Sequence, residues 1–564
     1  MSQDPLAALR AYDSQVITRY YRWRWFPVWG RALTVLWQFL WFGLTLLGDR
    51  LWGKEAEKTQ QRAVQLCRLF IYLGPTFIKV GQALSTRPDL VPKDFLEELT
   101  KLQDQLPSYP TEQAFAKITQ ELGQPVTELF AEISPSPVAA ASLGQVYKAR
   151  LLDQTWVAVK VQRPNLERIL SLDLYLLRWV STWIGSWLPL NLGESLTQVV
   201  DEFGSKLYEE IDYLNEGRNC ERFAAYFRED PDVYVPKIYW AYSSKRVLTL
   251  EWIDGIKLTD TEQIQAARLE IPKLVRIGVV SALKQLLEYG FFHADPHPGN
   301  LFALRDGRMA YIDFGMMDQL TQSMKENLVD ALVHLVDRDY ENLILDFINL
   351  GFLQPTVDAK PILPALEIVL NDVLTQEVGN FNFKTATDQF SDLMFQYPFR
   401  VPPNFALVIR SLITQEGVAI SLYPQFKIVA IAYPYVAKRL LTDESPKLRK
   451  RLLEILFKDG KFRWNRLENL IQIARVDGDF DLVPTAQMGL RYLLSEEAQD
   501  LRYRLVLALT EDDRLHLDQV QRLWELVKPE LSAQRLWQVA WEGAMQAVSQ
   551  PLAQLQQTRW SESN

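Results

Sequence analysis

The stretch His293-Ala-Asp-Pro-His-Pro-Gly-Asn300 ("HADPHPGN") places two histidines, an aspartate, two prolines, a glycine and an asparagine in eight positions. Proline and glycine at this density exclude a regular helix or a central strand. The segment is therefore a loop rich in polar chemistry. Two chemistries compete for it. The histidines and the aspartate could ligate a metal, or Asp295 and Asn300, five residues apart, could be working groups of a phosphoryl-transfer site.

Composition narrows the choice. The chain of 564 residues has four histidines and two cysteines, Cys67 and Cys220. Outside the loop only His334 and His516 remain, both in amphipathic, helix-like sequence. A metal-dependent hydrolase built on the loop is thus poorly supplied with further ligands, and the histidines are better read as groups that order the loop. Two cysteines make no disulfide framework, which suits a reducing compartment. The net charge of -9 and a pI near 5.3 argue against a nucleic-acid partner, since such proteins present a basic face. The length allows about three or four domain-sized units, and 48% apolar residues suffice for a sizeable core.

The flanks of the loop define its context. Ile271 to Tyr289 reads as a strong helix. After the loop, "NLFAL", "RDG" and "RMAYIDFG" form a hairpin signature with Asp306-Gly307 at its turn. Earlier in the chain, "LGQVYKARL" and "TWVAVKV" read as two strands joined by a short turn, followed by a long helical stretch from Gly193 to Phe227 and a strand in "KRVLTLEWI". Beyond Gly315 the sequence is almost entirely helix-like.

Four elements carry the candidate chemistry in fixed order. Lys160 lies on a strand in "VAVKV". Glu216 lies on the helical stretch. Asp295 and Asn300 share the loop. Asp313 opens an Asp-Phe-Gly after the hairpin. Phosphoryl transfer needs a cation on the nucleotide phosphates, an acid that holds that cation, a carboxylate near the acceptor hydroxyl, and oxygen ligands for Mg²⁺. Protein kinases supply these from a strand Lys, a helix Glu, Asp-x4-Asn and Asp-Phe-Gly, in that order. Each piece alone is commonplace; the shared order and the strand–helix–loop–hairpin context are not.

The segments "KVGQALSTRPDL" (79–90), "AAASLGQVYKA" (139–149), "VAVKVQRP" (157–164), "EIDYLNEGRN" (210–219), "HADPHPGN" and "YIDFG" resemble the aarF/UbiB/ADCK-type atypical kinases, over residues 60 to 350 or so. The resemblance implies an α+β, protein-kinase-like bilobal fold with a helical N-terminal extension and a mostly helical C-terminal one. Residues 1–54 would be a membrane-associating Trp/Arg-rich helical segment and 55–135 a helical extension carrying Lys-x-Gly-Gln. Residues 136–255 would form the N-lobe, 256–350 the C-lobe core and 351–564 the C-terminal extension. By resemblance Glu216 pairs with Lys160, Asp295 serves the acceptor, and Asn300 and Asp313 hold Mg²⁺. ATP or ADP would meet Ala139, Ala140, Ala141, Ser142, Lys160, Glu251 and Ile253. Glu210 and Asp212 would face the segment of Lys79 and Gln82, thought to fold over the site where a protein kinase admits its peptide. Asp212 and Glu216, four apart on one continuous helix, would share a face, with Glu210 about 120° around.

Departures from protein kinases shape the expected activity. Alanines stand where a Gly-rich loop would cover the phosphates, and alanine restricts close backbone approach. Ala294 stands where protein kinases carry the Arg that reads a phosphorylated activation loop, and no Ala-Pro-Glu follows Gly315. Both favour a small or lipid-like acceptor. The family resemblance adds a link to prenyl-quinone lipids and their pathway proteins. The expectation is an ATP-dependent kinase or ATPase at a membrane, with a nucleotide-binding regulatory scaffold as the alternative.

The membrane expectation has its own sequence support. Six of the 17 tryptophans fall in the first 52 residues, around the apolar run Ala32 to Leu47. As a helix this run would be about 24 Å long, short of the ~30 Å hydrocarbon core. Arg19, Arg22, Arg24 and Arg31 precede it without an intervening acid, which suits an anionic cytoplasmic leaflet. The run is expected to associate peripherally or as a single span, leaving the catalytic domain on the cytoplasmic side.

Overall fold

In the computed structural model the residues described are 6, 9, 11–85, 91–103, 108–140, 143–184, 195–358, 360–375, 397, 399–442, 452–453, 456–458, 461–475 and 521. The chain divides into two compact units, residues 1–428 and 429–564. The second contains most of a helix at Ile428–Thr442, a two-stranded hairpin (Phe457–Lys458 with Lys461–Phe462) and a helix at Trp464–Ala474. All the candidate chemistry lies in the first unit.

That unit begins with helices α1 (Ser14–Tyr21), α2 (Trp25–Leu51), α3 (Glu55–Leu73), α4 (Pro75–Leu84) and α5 (Lys93–Thr100). Helix α2 extends well beyond the apolar run read from sequence, because Trp25 to Arg31 and Gly48 to Leu51 continue it without a break. It does not stand free. Near one end Arg31 bonds both carboxylate oxygens of buried Asp173 at 2.7 and 3.0 Å; near the other, buried Asp49 accepts from Lys58 at 3.0 Å and from Arg62. Between these anchors Phe39 packs on Phe70 and Phe77.

Helices α6 (Thr111–Leu122) and α7 (Val126–Leu129) lead into a five-stranded antiparallel sheet. Its strands are β1 (Phe130–Ile133), β2 (Ala139–Ala140), β3 (Gly144–Leu151), β4 (Trp156–Gln162) and, later in the chain, β6 (Val247–Glu251). Central β4 is shielded on one face by α6: Val157, Val159 and Val161 pack with Ala114 and Ile118. The alternate residue Lys160 is thereby turned to the opposite face. The predicted turn between β3 and β4 is present, with Gln154 at φ 72°.

Helices α8 (Leu166–Ile184), α9 (Leu196–Glu210) and α10 (Tyr213–Tyr226) follow. The stretch expected as one helix is two. Asp212 leaves the helical region (φ -92°, ψ 95°) and its side chain caps α10 by accepting from the Leu214 N–H at 3.1 Å. Glu210 and Glu216 therefore sit on different helices, and the shared-face relation of Asp212 and Glu216 does not apply.

The rest is built on β5 (Val233–Tyr234), β7 (Gly255–Lys257), β8 (Phe291–His293), β9 (Leu301–Leu304), β10 (Met309–Tyr311) and β11 (Met317–Gln319). The sheet order β5-β10-β9-β7 contains the predicted hairpin, with Gly307 at φ 85° in its turn. Helices α11 (Thr261–Ala266) and α12 (Ile271–Leu283) precede a π-helical turn, Lys284–Tyr289, that ends on left-handed Gly290. Helices α13 (Gln322–Asp337), α14 (Tyr340–Asn349), α15 (Ile362–Thr375) and α16 (Pro403–Leu422) follow among the described residues. One continuous core joins α10 and β6 to α12, β9, β10 and the end of α16, through Phe223, Leu248, Leu274, Ala303, Tyr311 and Leu422.

Candidate phosphoryl-transfer site

A cleft gathers Lys160, Glu216, Asp295, Asn300 and Asp313. Lys160 comes from β4, Glu216 from the first turn of α10, and the other three from the loops after β8 and β10. Lys160 Nζ lies 2.7 and 2.9 Å from the two Glu216 carboxylate oxygens and 3.3 Å from Asp313 Oδ2. Burial disfavours the lysine charge, but Asp313 and Glu216 outweigh it and hold the amine well above its usual range. Burial raises Glu216 to about 7 despite the lysine beside it; Asp313, where the ammonium and the Gly315 N–H prevail over burial, is lowered to about 2. Asp313 Oδ1 accepts that N–H at 2.9 Å.

The loop is ordered by its histidines. His293 Nδ1 accepts the Asp295 N–H and His297 Nδ1 accepts the Gly299 N–H, each at 3.1 Å. Burial holds the His293 imidazole below its usual range, which suits an acceptor nitrogen. The π turn contributes as well: Gln285 Oε1 accepts the His293 N–H at 2.9 Å. Asn300 is fixed through its backbone, donating to the His297 carbonyl at 2.8 Å and accepting from the Ile312 N–H at 3.2 Å.

Among the described residues no group of three or more His, Cys, Asp or Glu is placed to hold a metal ion. Magnesium does not need one. It binds through one or two protein oxygens, with phosphates and water completing its shell. Asp313, ionised and with an oxygen on the cleft, and the amide of Asn300 supply an all-oxygen donor set of that kind.

Lys79 and Gln82, on α4, line the same cleft. Lys79 is buried and donates to Glu210 at the end of α9. Gln82 donates to the Leu102 carbonyl at 3.1 Å. Asp212, expected beside Lys79, instead caps α10.

The expected nucleotide contacts are not all brought together. Ala139 and Ala140 pair with Val146 and Gln145 as an edge strand, and neither lines the cleft. Ala141 and Ser142 lie outside the described residues. Glu251 is turned away, its carboxylate accepting from the Tyr234 hydroxyl at 2.7 Å and the Lys237 N–H at 3.2 Å; it and Ile253 are absent from the cleft lining. The pairing of β6 with β4 in the register Val157↔Glu251 carries Glu251 to the end of the sheet remote from Gly144.

Two residues at the site were not anticipated. Gly144 opens β3 on the cleft, and a Cβ there would stand 2.5 Å from the Val161 carbonyl oxygen. Arg410 of α16 reaches the catalytic loop, its Nη2 2.8 Å from Asp295 Oδ2. A signal for it exists in "ALVIRSLI", where one cation interrupts an apolar helix and needs an acid partner if buried.

A sheet-based lobe with a Lys–Glu pair, facing a helical lobe with a catalytic-type loop and Asp-Phe-Gly, defines a protein-kinase-like protein. Residues 101–346 match the family model of the ABC1 atypical kinase-like domain, and residues 366–427 match the UbiB helical domain. The chain is 45% identical over 518 residues to Protein ACTIVITY OF BC1 COMPLEX KINASE 1, chloroplastic, of Arabidopsis thaliana, covering 89% of this chain and 76% of that one. It is 46% identical over 496 residues to ACTIVITY OF BC1 COMPLEX KINASE 3, chloroplastic, of the same plant, covering 88% and 70%. An uncharacterized protein of Synechocystis sp. is 60% identical over 539 residues, covering 96% and 95%. The chain belongs to the ABC1 atypical kinase-like family, the family its motifs resemble.

Proposed function

We propose that the protein binds Mg-ATP and works as an atypical kinase or ATPase at a membrane surface, in the service of prenyl-quinone or related isoprenoid lipids. The observation that carries the nucleotide reading is Lys160, held between Glu216 and Asp313 in one cleft with Asp295 and Asn300. Lys160 would neutralise phosphate charge and Glu216 would fix its position. Asn300 and Asp313 would hold Mg²⁺, which supplies charge neutralisation at the phosphates when bound. Asp295 would orient the acceptor hydroxyl and receive its proton.

The membrane part is supported by α2. Phe26, Trp29, Leu33, Leu36, Leu40, Leu44, Leu47 and Leu51 recur at three- and four-residue spacing along it and are all exposed. The helix is long and apolar enough to cross a bilayer. Its ion pairs at both ends, to α8 and α3, favour lying along the interface instead, with the Arg-rich preface near headgroups. The lipid acceptor is inferred from the family resemblance and from the absence of protein-kinase substrate features in the sequence.

A regulatory scaffold is the second reading. It is favoured by one observation: Lys79 and Gln82 occupy the wall of the nucleotide cleft, with Lys79 tied to Glu210. Phosphate release from ATP by the full chain, with and without anionic vesicles, separates the two. Turnover that disappears in Asp295→Ala supports the enzyme; tight Mg-ATP binding without turnover supports the scaffold.

A further inference from the structure

The catalytic-type loop carries no lysine or arginine between His293 and Asn300. Its carboxylate, Asp295, nonetheless meets a cation. Arg410 comes from α16, more than a hundred positions later, inside the segment that matches the UbiB helical domain. Its side chain is 6% exposed and that of Asp295 15%, so the pair is largely withdrawn from water. Such a pair is far less screened than a surface one.

We propose that Arg410 is a positioning residue for phosphoryl transfer, holding the Asp295 carboxylate in place and screening its charge from the nucleotide phosphates. The proposal rests on the reading of the cleft as an Mg-ATP site. Asp295 shares the cleft with Glu216 and Asp313, against the single ammonium of Lys160 and a Lys79 already engaged by Glu210. A triphosphate brought there meets several carboxylates, and a guanidinium on Asp295 offsets one of them.

The platform is firm. Helix α16 packs along α12, and its Val418, Ala419 and Leu422 belong to the central core. The same helix sends Gln415 to the Tyr311 hydroxyl, which also bonds Ser281 of α12 at 2.6 Å. Thus α16 is fastened to both sides of the loop, through β10 and through α12. The helical domain is then part of the working site, because it supplies the loop's cation.

The test uses the full chain and compares wild type with Arg410→Gln, Arg410→Lys, Asp295→Asn and the double variant Arg410→Gln/Asp295→Asn. Steady-state ATP turnover, Mg-ATP affinity by thermal-shift titration, and the unfolding midpoint are measured. Arg410→Gln should lower kcat about 10- to 100-fold, the scale of loss when a catalytic group is misplaced, with Mg-ATP affinity changed less than about threefold. Arg410→Lys should recover a substantial part of that loss. In the Asp295→Asn background, Arg410→Gln should cost nothing further. Undiminished kcat in Arg410→Gln overturns the proposal. So does a full additional loss in the double variant, or a fall in kcat that merely follows lost folding and that lysine does not rescue. Wild type that binds Mg-ATP without turnover fails the enzyme reading itself, a distinct outcome.

Discussion

Lys160 and Asp313, 153 positions apart in the chain, meet at 3.3 Å, and Glu216 closes the triangle at 2.7 Å from the same ammonium. Two carboxylates thus share one buried cation. Their environments drive them apart: Asp313 stays ionised and Glu216 titrates near neutrality. On the proposed reading, a magnesium-bound triphosphate at this triangle would redistribute its charge, which makes the site sensitive to substitution and to pH.

Asp313→Asn should abolish Mg-nucleotide binding. It removes the ionised oxygen donor and one of two acids facing Lys160, while keeping the shape of the side chain. A thermal-shift titration with Mg-ATP checks this; a midpoint that still rises with nucleotide as in wild type would refute the assignment.

Removing Lys160 should destabilise the fold as well as weaken nucleotide binding. Lys160→Ala leaves Glu216, 3% exposed, without its partner, and breaking such a pair costs about 3 kcal/mol or more. The double variant Lys160→Met/Glu216→Leu should recover part of that loss, because the buried Glu216 carboxylate is no longer stranded and Asp313, 34% exposed, keeps access to water. Urea unfolding curves of the wild type and both variants measure the difference.

Glu216 also sets a pH dependence. Its folded value, about 7, exceeds the 4.5 of an unperturbed glutamate, so the folded state keeps a proton that the unfolded chain releases. The associated stability is complete below pH 4.5 and is lost as pH rises through about 7. Relative to Glu216→Gln, the wild type should therefore lose stability across that window, at a slope approaching about 1.4 kcal/mol per pH unit. A flat difference between the two unfolding profiles would contradict it.

Gly144→Ala should destabilise by about 1–3 kcal/mol and reduce Mg-nucleotide affinity, as overpacking does in a close-packed site. The added methyl would meet the backbone oxygen of Val161 at 2.5 Å, which no rotamer change relieves. Chemical denaturation and the same titration test both effects.

For the membrane face, Leu36→Glu/Leu40→Glu should reduce flotation with anionic vesicles by about tenfold or more and leave the unfolding midpoint within a degree or two, since both side chains are exposed. Tryptophan quenching by brominated lipids should be strongest for shallow labels. Strongest quenching at the bilayer centre would instead indicate a spanning helix.

What was legible in the sequence was local. The β3–β4 and β9–β10 hairpins announce themselves because Asp153-Gln154 and Asp306-Gly307 satisfy turn geometry within a few residues. The break at Asp212 carried a signal too, an acid placed to cap with Asn215 and Glu216 in the following turn, but the helical periodicity on both sides concealed it. The extent of α2 was underestimated because Pro27, Gly30 and Arg31 at one end and Gly48, Asp49 and Arg50 at the other interrupt the apolar run yet remain helical.

The sequence by itself singled out Lys160, Glu216, Asp295, Asn300 and Asp313 as the candidate set, since their order and spacing along the chain mirror the order of strand, helix, loop and hairpin. Only the tertiary structure decided their partners. That Lys79 meets Glu210 and not Asp212, that Glu251 turns to Tyr234, and that Arg410 reaches Asp295 follow from helix ends, strand register and the docking of α16. These depend on contacts between segments far apart in the chain, and burial rather than local propensity selects them.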